Sequence, residues 1–223
     1  MSNQPVQISY FSDVLCVWAY VAQIRLEELK KKFQDKINIV PYHVTLFGDT
    51  EKRIGKGWAA KGGYEGFNQH VLHVCKDFSH LEINPSVWKT TRPKSSGTAH
   101  LFLKAVQLAT DANMKTLKNL EWEIRLAFFR DARDIGDIKV LLDIAKEFDL
   151  SKNIIDSYLN DGSAMALFCS ELAMREAFKL EGSPTYLLNQ NRQKLFGNVG
   201  YKIMEANVAE LLCEQGEKQA SWC

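Results

Sequence analysis

Strand-like stretches near both ends of the chain, with a long helical block between them, constrain the fold more than any other feature. Residues 6–11 (VQISYF) and 37–44 (INIVPYHV) are rich in strand-forming residues, and an apolar stripe at helical spacing fills residues 19–33 between them. A strand, a helix and a second strand in this order predict a parallel pair joined by a helical crossover. Pro41 places the second strand at a sheet edge or at an irregularity, because proline lacks the amide donor.

The middle of the chain is predicted to be helical. Residues 48–63 are rich in glycine and lysine and predict a loop or a short irregular segment. Asp137 and Ser151 each precede a helical pattern and are predicted N-caps, because their side chains accept bonds from the unpaired first amides. Helical patterns cover residues 65–78, 97–112, 115–131, 138–148, 152–160 and 163–180.

The end of the chain returns to strands. Residues 185–188 (TYLL) and 193–196 (QKLF) flank four polar residues and predict a hairpin, which a closing helix follows at residues 201–215. The predicted fold class is therefore α/β, in the order βαβ…ββα, interrupted by an all-helical insertion. The sheet domain is predicted to comprise residues 1–47 and 181–223, and the helical insertion domain residues 48–180.

The composition is that of an ordinary globular protein and argues against several partners. Of the 223 residues, 46% are hydrophobic and 25% are charged, and the formal net charge is +1. This balance gives no long-range attraction to nucleic acid or to an anionic membrane. The sequence has no uninterrupted apolar run of the roughly 18 residues that a spanning helix needs, and residues 1–7 carry no secretory-signal pattern. We therefore expect no nucleic-acid partner and no membrane association.

The cysteines predict a reducing environment. Their number is odd, they are widely scattered, and no two of them form a Cys-x-x-Cys pair, whereas a secreted disulfide framework is denser and even-numbered. We therefore expect mostly free thiols and a cytoplasmic location. The five cysteines are Cys16, Cys75, Cys169, Cys213 and Cys223.

Cys16 is the candidate nucleophile. It lies where the first predicted strand gives way to the first helix, so it faces unpaired amides and the positive end of the helix dipole. Both favour the thiolate, and we expect the pKa of Cys16 to be lowered. Such a thiolate can attack a disulfide sulfur or an electrophilic carbon. The alternative is that Cys16 is a small buried side chain under the helix.

A proline directly before the third predicted strand is the second notable feature. Pro184 follows Gly182 and Ser183, and it fixes the backbone and removes an amide donor at this point. A cis peptide bond here would be a specific architectural element. The segment is a weak signal alone and a stronger one together with Cys16 and the order of the strands.

Four segments together resemble the DsbA-like thioredoxin family. Residues 12–20 (SDVLCVWAY) are similar to the family's active-site segment, whose usual form is S-D-x-x-C-P-W-C-Y, and residues 181–188 (EGSPTYLL) to its cis-proline loop and following strand. Residues 130–150 resemble part of the helical insertion in the cytoplasmic branch that includes FrnE-like proteins, and residues 195–212 resemble its last strand and helix. The resemblance covers nearly the whole chain and implies a thioredoxin fold with the insertion seated over the active site.

By this resemblance Cys16 is the nucleophile, and Ser183 and Pro184 lie beside it. In the family, the backbone of the residue before the cis-proline binds an extended thiol peptide by strand addition. Two positions depart from the family pattern: Val17 replaces the usual proline, and Ala19 replaces the second cysteine. Without that resolving cysteine, Cys16 cannot close a disulfide within the motif, so the sequence predicts monothiol chemistry.

The resemblance also implies a ligand and its contacts. With no partner cysteine, the nucleophile would form a mixed disulfide with glutathione or with a protein, and an external thiol would release it. Glutathione is thus the expected co-substrate, and no tightly bound cofactor is expected. The residues expected to contact substrate or glutathione are Ser12, Trp18, Ser183, Pro184 and Asn198. For Trp18 the alternative is plain core packing.

Two other functions stay open. Kappa-class glutathione transferases and hydroxychromene-carboxylate isomerases share the fold, use a serine at the position of Cys16 and carry a Ser-Asp pair in the loop before the last helix. This chain has Asn198 and Val199 there, so half of that anchor for the glutathione carboxylate is missing. Ala19 is also compatible with a non-catalytic thiol-binding chaperone.

No metal site is predicted. His70, His73 and Cys75 lie near one another in a predicted helix, but zinc needs four ligands, and no other close pair completes the set. Cys223 would have to reach Cys16 across the domain to act as a distant resolving thiol. Homodimers are common among related proteins, and the sequence shows no decisive apolar patch for or against one.

Overall fold

A four-stranded mixed sheet forms the centre of the protein, which a computed structural model describes for residues 4–214. The strand order is β2-β1-β3-β4, with β1 at Val6–Ser12, β2 at Ile37–His43, β3 at Thr185–Leu188 and β4 at Gln193–Phe196. Strand β1 pairs parallel with β2 and antiparallel with β3, and β3 pairs antiparallel with β4. The predicted parallel pair and hairpin are confirmed, and β2 lies at an edge, where Pro41 needs no partner for an amide.

The helices follow the predicted pattern, with ends that differ by a few residues. Short π-helical (Glu51–Lys56) and 3₁₀ (Ala59–Lys61) turns form the irregular segment. The Asp137 side chain caps its helix by accepting from the Lys139 amide at 2.9 Å. Ser151 also occupies the N-cap of its helix, as predicted, but its side chain makes no capping bond, so that part of the prediction is wrong. The α-helices are α1 Val17–Phe33, α2 Gly63–Lys76, α3 Gly97–Ala109, α4 Met114–Phe129, α5 Ile138–Lys146, α6 Lys152–Asn160, α7 Ser163–Ala177 and α8 Tyr201–Glu214.

The core is continuous between the sheet and the inserted helices. Tyr20 of α1 stacks on Phe129 and Trp122 of α4, with ring centroids 4.6 and 5.2 Å apart. On the other face of the sheet, Phe11 and Leu187 form a smaller cluster under α7. Helices α2 to α7 lie between β2 and β3 in the chain, so the fold is α/β with a helical insertion, as predicted. The proposed division into two domains at residues 48 and 181 stays a prediction.

The chain order also brings two loops to one edge of the sheet. Strand β1 ends at Ser12, four residues before Cys16, and β3, its antiparallel neighbour, begins at Thr185 directly after Pro184. The two segments singled out in the sequence therefore meet where β1 ends. Within residues 4–214, no helix has both the length and the apolar character to cross a membrane.

Candidate active site

Cys16 lies at the N-cap of α1 and faces the loop before β3. Its backbone is extended, and its carbonyl accepts the first bond of the helix, from the Tyr20 amide at 3.1 Å. The thiol donates to the Ser183 carbonyl oxygen at 3.2 Å. The Ser183–Pro184 peptide bond is cis. The structure thus brings Cys16, Ser183 and Pro184 together. Cys16 is buried at this place, with 3% of its surface exposed.

Burial raises the pKa of Cys16, so the prediction of a lowered thiol pKa is wrong for this structure. Removal from water is the largest cause, because a thiolate loses its hydration in the protein interior. Contacts with Ser183, the backbone of Ala19 and the Arg125 charge act in the opposite direction, and the Asp13 carboxylate adds to the increase. The start of the helix lowers the pKa of Cys16, as expected, but desolvation raises it by more. Burial therefore favours the thiol over the thiolate at this position.

Asp13 holds the active-site loop in place from within. Its carboxylate accepts from the amides of Leu15 and Phe47 at 2.9 and 2.8 Å and from the Ser96 hydroxyl at 2.8 Å. Its own amide donates to the Ser183 hydroxyl at 2.9 Å. Burial raises the pKa of Asp13, even though these bonds favour the ionised form. Through its side chain and its own amide, Asp13 thereby connects the loop before α1, the segment after β2, the start of α3 and the cis-proline loop.

Arg125 of α4 places a buried positive charge against the same loop. Its guanidinium donates to the Asp13 carbonyl at 2.9 Å, to the Ser12 hydroxyl at 2.8 Å and to a Glu121 carboxylate oxygen at 2.6 Å. Burial works against the charge, but the Glu121 carboxylate outweighs it and raises the pKa of Arg125. The loop that carries Cys16 is therefore held by hydrogen bonds from a guanidinium on α4, a helix of the insertion.

A chain of buried charged groups continues away from the thiol. The second oxygen of Glu121 lies 3.6 Å from the His43 ring, and the other ring nitrogen lies 3.7 Å from Glu171, which accepts from Lys104 at 2.5 Å. Burial alone would raise the pKa of Glu121 and of Glu171, but their cationic neighbours hold both below the usual range. Helices α3, α4 and α7 thus meet β2 through polar side chains that are each at most 6% exposed.

His100 of α3 also supports the loop. Its Nε2 accepts from the Val14 amide at 3.1 Å, which requires an unprotonated nitrogen. Burial lowers the pKa of His100 well below its usual value, and the neighbouring His43 and Arg125 lower it further. His100 is therefore neutral in the folded protein.

The buried His100 predicts a loss of stability as the pH falls below about 6.5, the value for an unfolded histidine. Below that pH the unfolded chain binds a proton that the folded protein does not, so the free energy of unfolding falls by up to about 1.4 kcal/mol per pH unit. His100→Gln keeps an acceptor for the Val14 amide. In this variant the free energy of unfolding, measured by urea titration, should depend less steeply on pH between about pH 7 and pH 5. Burial raises the pKa of Asp13, so this group contributes to the pH dependence with the opposite sign.

The exposed His80 is the matched control for this measurement. His80→Gln should keep the slope of the wild-type protein. Equal slopes in the wild type and His100→Gln would contradict the assignment of a neutral buried His100.

The other predicted site residues make contacts of their own with the rest of the protein. Ser12 is fully buried, and Arg125 binds its hydroxyl, so it supports the loop from below. Trp18 is half-buried and packs against the core. Asn198 accepts from Arg25 of α1 at 2.6 Å, and the Val199 carbonyl accepts from the same guanidinium at 3.0 Å. A ligand contact by Ser12, Trp18 or Asn198 stays a prediction.

The buried polar residues behind the loop were not predicted from the sequence. One signal existed: Glu121 and Arg125 are four residues apart on one helix, within an apolar pattern. That spacing is also common on exposed helix faces, so it does not indicate burial. The four cysteines within residues 4–214 are all free, and Cys223 lies outside the described residues. Among the described residues, no three His, Cys, Asp or Glu side chains are placed to hold a metal ion.

The fold and the site define a thioredoxin-fold protein with a cysteine at the start of its first helix and a cis-proline loop opposite. The family model for the DSBA-like thioredoxin domain matches residues 7–209, and the chain belongs to this family, whose members are oxidoreductases or isomerases. No curated protein is significantly similar in sequence.

Several solved structures share the fold at low sequence identity. A candidate protein disulfide isomerase from Nitrosomonas europaea superimposes with a TM-score of 0.75 at 10% identity, over 96% of this chain and 100% of that one. The cytosolic disulfide reductase DsbM from Pseudomonas aeruginosa, determined with GSH, gives 0.66 at 18% identity over 94% and 98%. A 2-hydroxychromene-2-carboxylate isomerase gives 0.65 at 13% identity over 96% and 100%.

Proposed function

We propose that the protein is a monothiol oxidoreductase that uses Cys16 to exchange disulfides with glutathione in a reducing, cytoplasmic compartment. The observation that carries the proposal is the Cys16 thiol, held against the Ser183 carbonyl at 3.2 Å, with Ala19 where a second thiol would be needed. The free state of all four described cysteines supports the choice of compartment.

The proposed reaction moves glutathione through Cys16 in two exchanges. The Cys16 thiolate attacks the glutathione sulfur of a mixed disulfide, that S–S bond breaks, and the substrate leaves as a thiol after taking a proton. A second glutathione thiolate then attacks the Cys16-bound glutathione sulfur. Cys16 is released as the leaving thiolate, and the product is oxidised glutathione. The net exchange converts the mixed disulfide and one glutathione thiol into the substrate thiol and oxidised glutathione, so one disulfide bond is broken and one is formed.

The backbone beside the thiol supports binding of a peptide-like thiol. The Ser183 N–H makes no hydrogen bond with any residue in the described part of the chain, and its carbonyl is engaged only by the Cys16 thiol. An extended ligand can use both groups, as an added strand does. Ser12 acts in this proposal as a positioning residue under the loop, while Trp18, Ser183, Pro184 and Asn198 contact the ligand.

The dependence of turnover on glutathione tests this function. The wild-type protein should reduce a glutathionylated peptide only when reduced glutathione is supplied, because no second thiol of the motif can release Cys16. Ala19→Cys should restore a dithiol motif at the helix start. This variant should reduce protein disulfides without glutathione, when another reductant regenerates the dithiol. Ala19→Ser is the matched control and should behave as the wild type. Equal turnover by wild-type protein with and without glutathione would contradict the proposal.

Isomerisation of a glutathione adduct is the second candidate, favoured by the single thiol and by the fold shared with 2-hydroxychromene-2-carboxylate isomerase. Cys16→Ser separates the two candidates, because a serine can assist proton transfer or ligand positioning but cannot form a disulfide. Loss of disulfide exchange together with retained isomerisation would favour the second candidate.

A further inference from the structure

An arginine at the start of the insertion lies beside the loop that carries Cys16. Arg53 belongs to the π-helical turn Glu51–Lys56, and its guanidinium carbon lies 4.8 Å from the centre of the Phe47 ring. The Phe47 amide donates to the Asp13 carboxylate at 2.8 Å, and the Asp13 carbonyl accepts from the Cys16 amide at 3.0 Å. The guanidinium is therefore connected to the nucleophile through Phe47 and Asp13.

Buried contacts fix the turn that carries Arg53. Ile54 is fully buried, and the Thr50 hydroxyl, directly before the turn, donates to the Pro93 carbonyl at 2.7 Å. The Phe47 ring against the guanidinium is itself 3% exposed. The side chain is thus attached to the folded part of the chain at its backbone and at its charged end. π-Helical turns are rare, and they occur frequently at functional sites.

The Arg53 guanidinium has N–H groups available for a ligand. It forms neither a hydrogen bond nor an ion pair with the part of the chain that the structure describes. The Phe47 ring attracts the cation without accepting its five N–H donors in conventional hydrogen bonds. The ionisable groups that face it are Cys16 and Asp13. Both carboxylate oxygens of Asp13 already accept hydrogen bonds from other residues.

Arg53 is open to solvent, unlike the cation beneath the loop. Its side chain is exposed, whereas Arg125 is 1% exposed and already binds the Glu121 carboxylate. Partial burial lowers the pKa of Arg53, and the nearby Cys16 and Asp13 groups raise it. A ligand can therefore reach this guanidinium from solvent, and a carboxylate is the group that its forked donors fit best.

We propose that Arg53 pairs with a carboxylate of the ligand that reacts at Cys16, so that the site selects anionic thiols and disulfides over neutral ones. The inference rests on the proposed function, since it assigns Arg53 to the ligand of the same thiol. Glutathione, which carries two carboxylates, is one ligand of this class. Arg53 binds and orients the ligand, and the bonds that form and break in the exchange are those of the sulfur atoms.

Ligand binding to Cys16→Ser tests this pairing without any disulfide exchange. The probes are S-methylglutathione and its diethyl ester, which has the same thioether but no carboxylate. Calorimetric titration should show at least about tenfold tighter binding of the acid than of the ester, the ratio expected for a charge-assisted bond. Adding Arg53→Met should remove most of this ratio in a protein with an unchanged thermal midpoint, and Arg53→Lys should keep most of it.

Lys52→Met is the matched control, because it removes an exposed cation from the same π-helical turn. Charges on the surface are screened by salt, so this change should leave the ratio within about twofold of its parent. An equal loss of the ratio in Lys52→Met and Arg53→Met would show that the two residues act through a diffuse positive field. That result would overturn the assignment of a contact to Arg53.

Exchange on the intact thiol separates binding of the ligand from an effect of Arg53 on Cys16 itself. Arg53→Met should slow the formation of a mixed disulfide with oxidised glutathione at least about tenfold relative to its oxidised diethyl ester. Alkylation of Cys16 by uncharged iodoacetamide should change by less than about twofold, because no carboxylate takes part. An equal decrease with all three reagents would show that Arg53 acts on the thiol, and it would overturn the proposal.

The binding and exchange experiments distinguish the two proposals. If wild-type protein forms no mixed disulfide while Cys16→Ser keeps a preference that depends on Arg53, the proposed reaction is wrong and the carboxylate contact stands. If exchange proceeds but neither probe binds, or the preference is absent or survives Arg53→Met, the carboxylate contact is wrong and the monothiol chemistry stands.

Discussion

Replacing Cys16 with serine is expected to lower the rate of glutathione-dependent reduction of a mixed disulfide by at least about 100-fold, because a hydroxyl cannot form the disulfide intermediate. No other described thiol is placed to substitute for it. Cys75 is buried near the C-terminal end of α2, where the helix dipole disfavours a thiolate, whereas Cys16 lies at a helix start. The rate is measured with a glutathionylated peptide, saturating glutathione and a coupled assay for the oxidised product.

Cys169 provides the matched control for this loss. It is an exposed, free cysteine on α7, and Cys169→Ser removes a thiol without touching the loops at the sheet edge. Its rate should equal that of the wild type. A Cys16→Ser protein that retains more than about a tenth of the wild-type rate would show that the reaction does not pass through this thiol.

Replacing Arg125 with methionine is expected to lower the free energy of unfolding by about 3–5 kcal/mol, the usual cost of removing one partner from a buried ion pair. Arg125 is 1% exposed, and its loss removes the guanidinium that donates to the Glu121 carboxylate and to the Asp13 carbonyl and leaves the buried carboxylate without its cation. The same change should raise the pKa of Cys16 further, since the Arg125 charge is one of the groups that lower it. The two effects are read from urea denaturation and from the alkylation rate of Cys16 against pH.

A double variant separates the two effects of Arg125. Adding Glu121→Leu to Arg125→Met removes the stranded carboxylate and should recover much of the lost stability, as apolar replacement of whole ion pairs does. The slow alkylation of Cys16 should persist, because the cation is still missing. Arg125→Lys keeps the charge and should alkylate close to the wild-type profile. If alkylation recovers with stability in the double variant, Arg125 acts on the fold and has no separate electrostatic effect on the thiol.

Much of the fold could be predicted from local patterns, and so could the contact at the centre of the site. The strand patterns at residues 6–11 and 185–188 are short and apolar. They predict the positions of Cys16 and Pro184, because Cys16 follows the first of these strands and Pro184 directly precedes the second. The meeting of Cys16 with the cis-proline loop followed from this order together with the family resemblance. The C-terminal ends of the helices were less predictable: α3 ends at Ala109 and α7 at Ala177, where the patterns extended to residues 112 and 180.

The direction of the Cys16 pKa shift could not be predicted from the sequence. A position at a helix start is visible in the sequence, and it does favour the thiolate. Burial depends on which distant segments cover the thiol, and here the Ser183 loop encloses it. The same limit applies to Arg125 and Glu121, whose partners lie more than a hundred residues away in the chain at Ser12 and Asp13. Desolvation and long-range ion pairs arise only once the chain is packed.

The intermediate on Cys16 tests the monothiol account most directly. The protein is incubated with oxidised glutathione, unreacted thiols are blocked, and the Cys16 peptide is identified by mass spectrometry. The account predicts one glutathione in disulfide linkage to Cys16, stable until reduced glutathione is added and absent from Cys16→Ser. An intramolecular disulfide between Cys16 and another cysteine of the chain, with no glutathione retained, would contradict it.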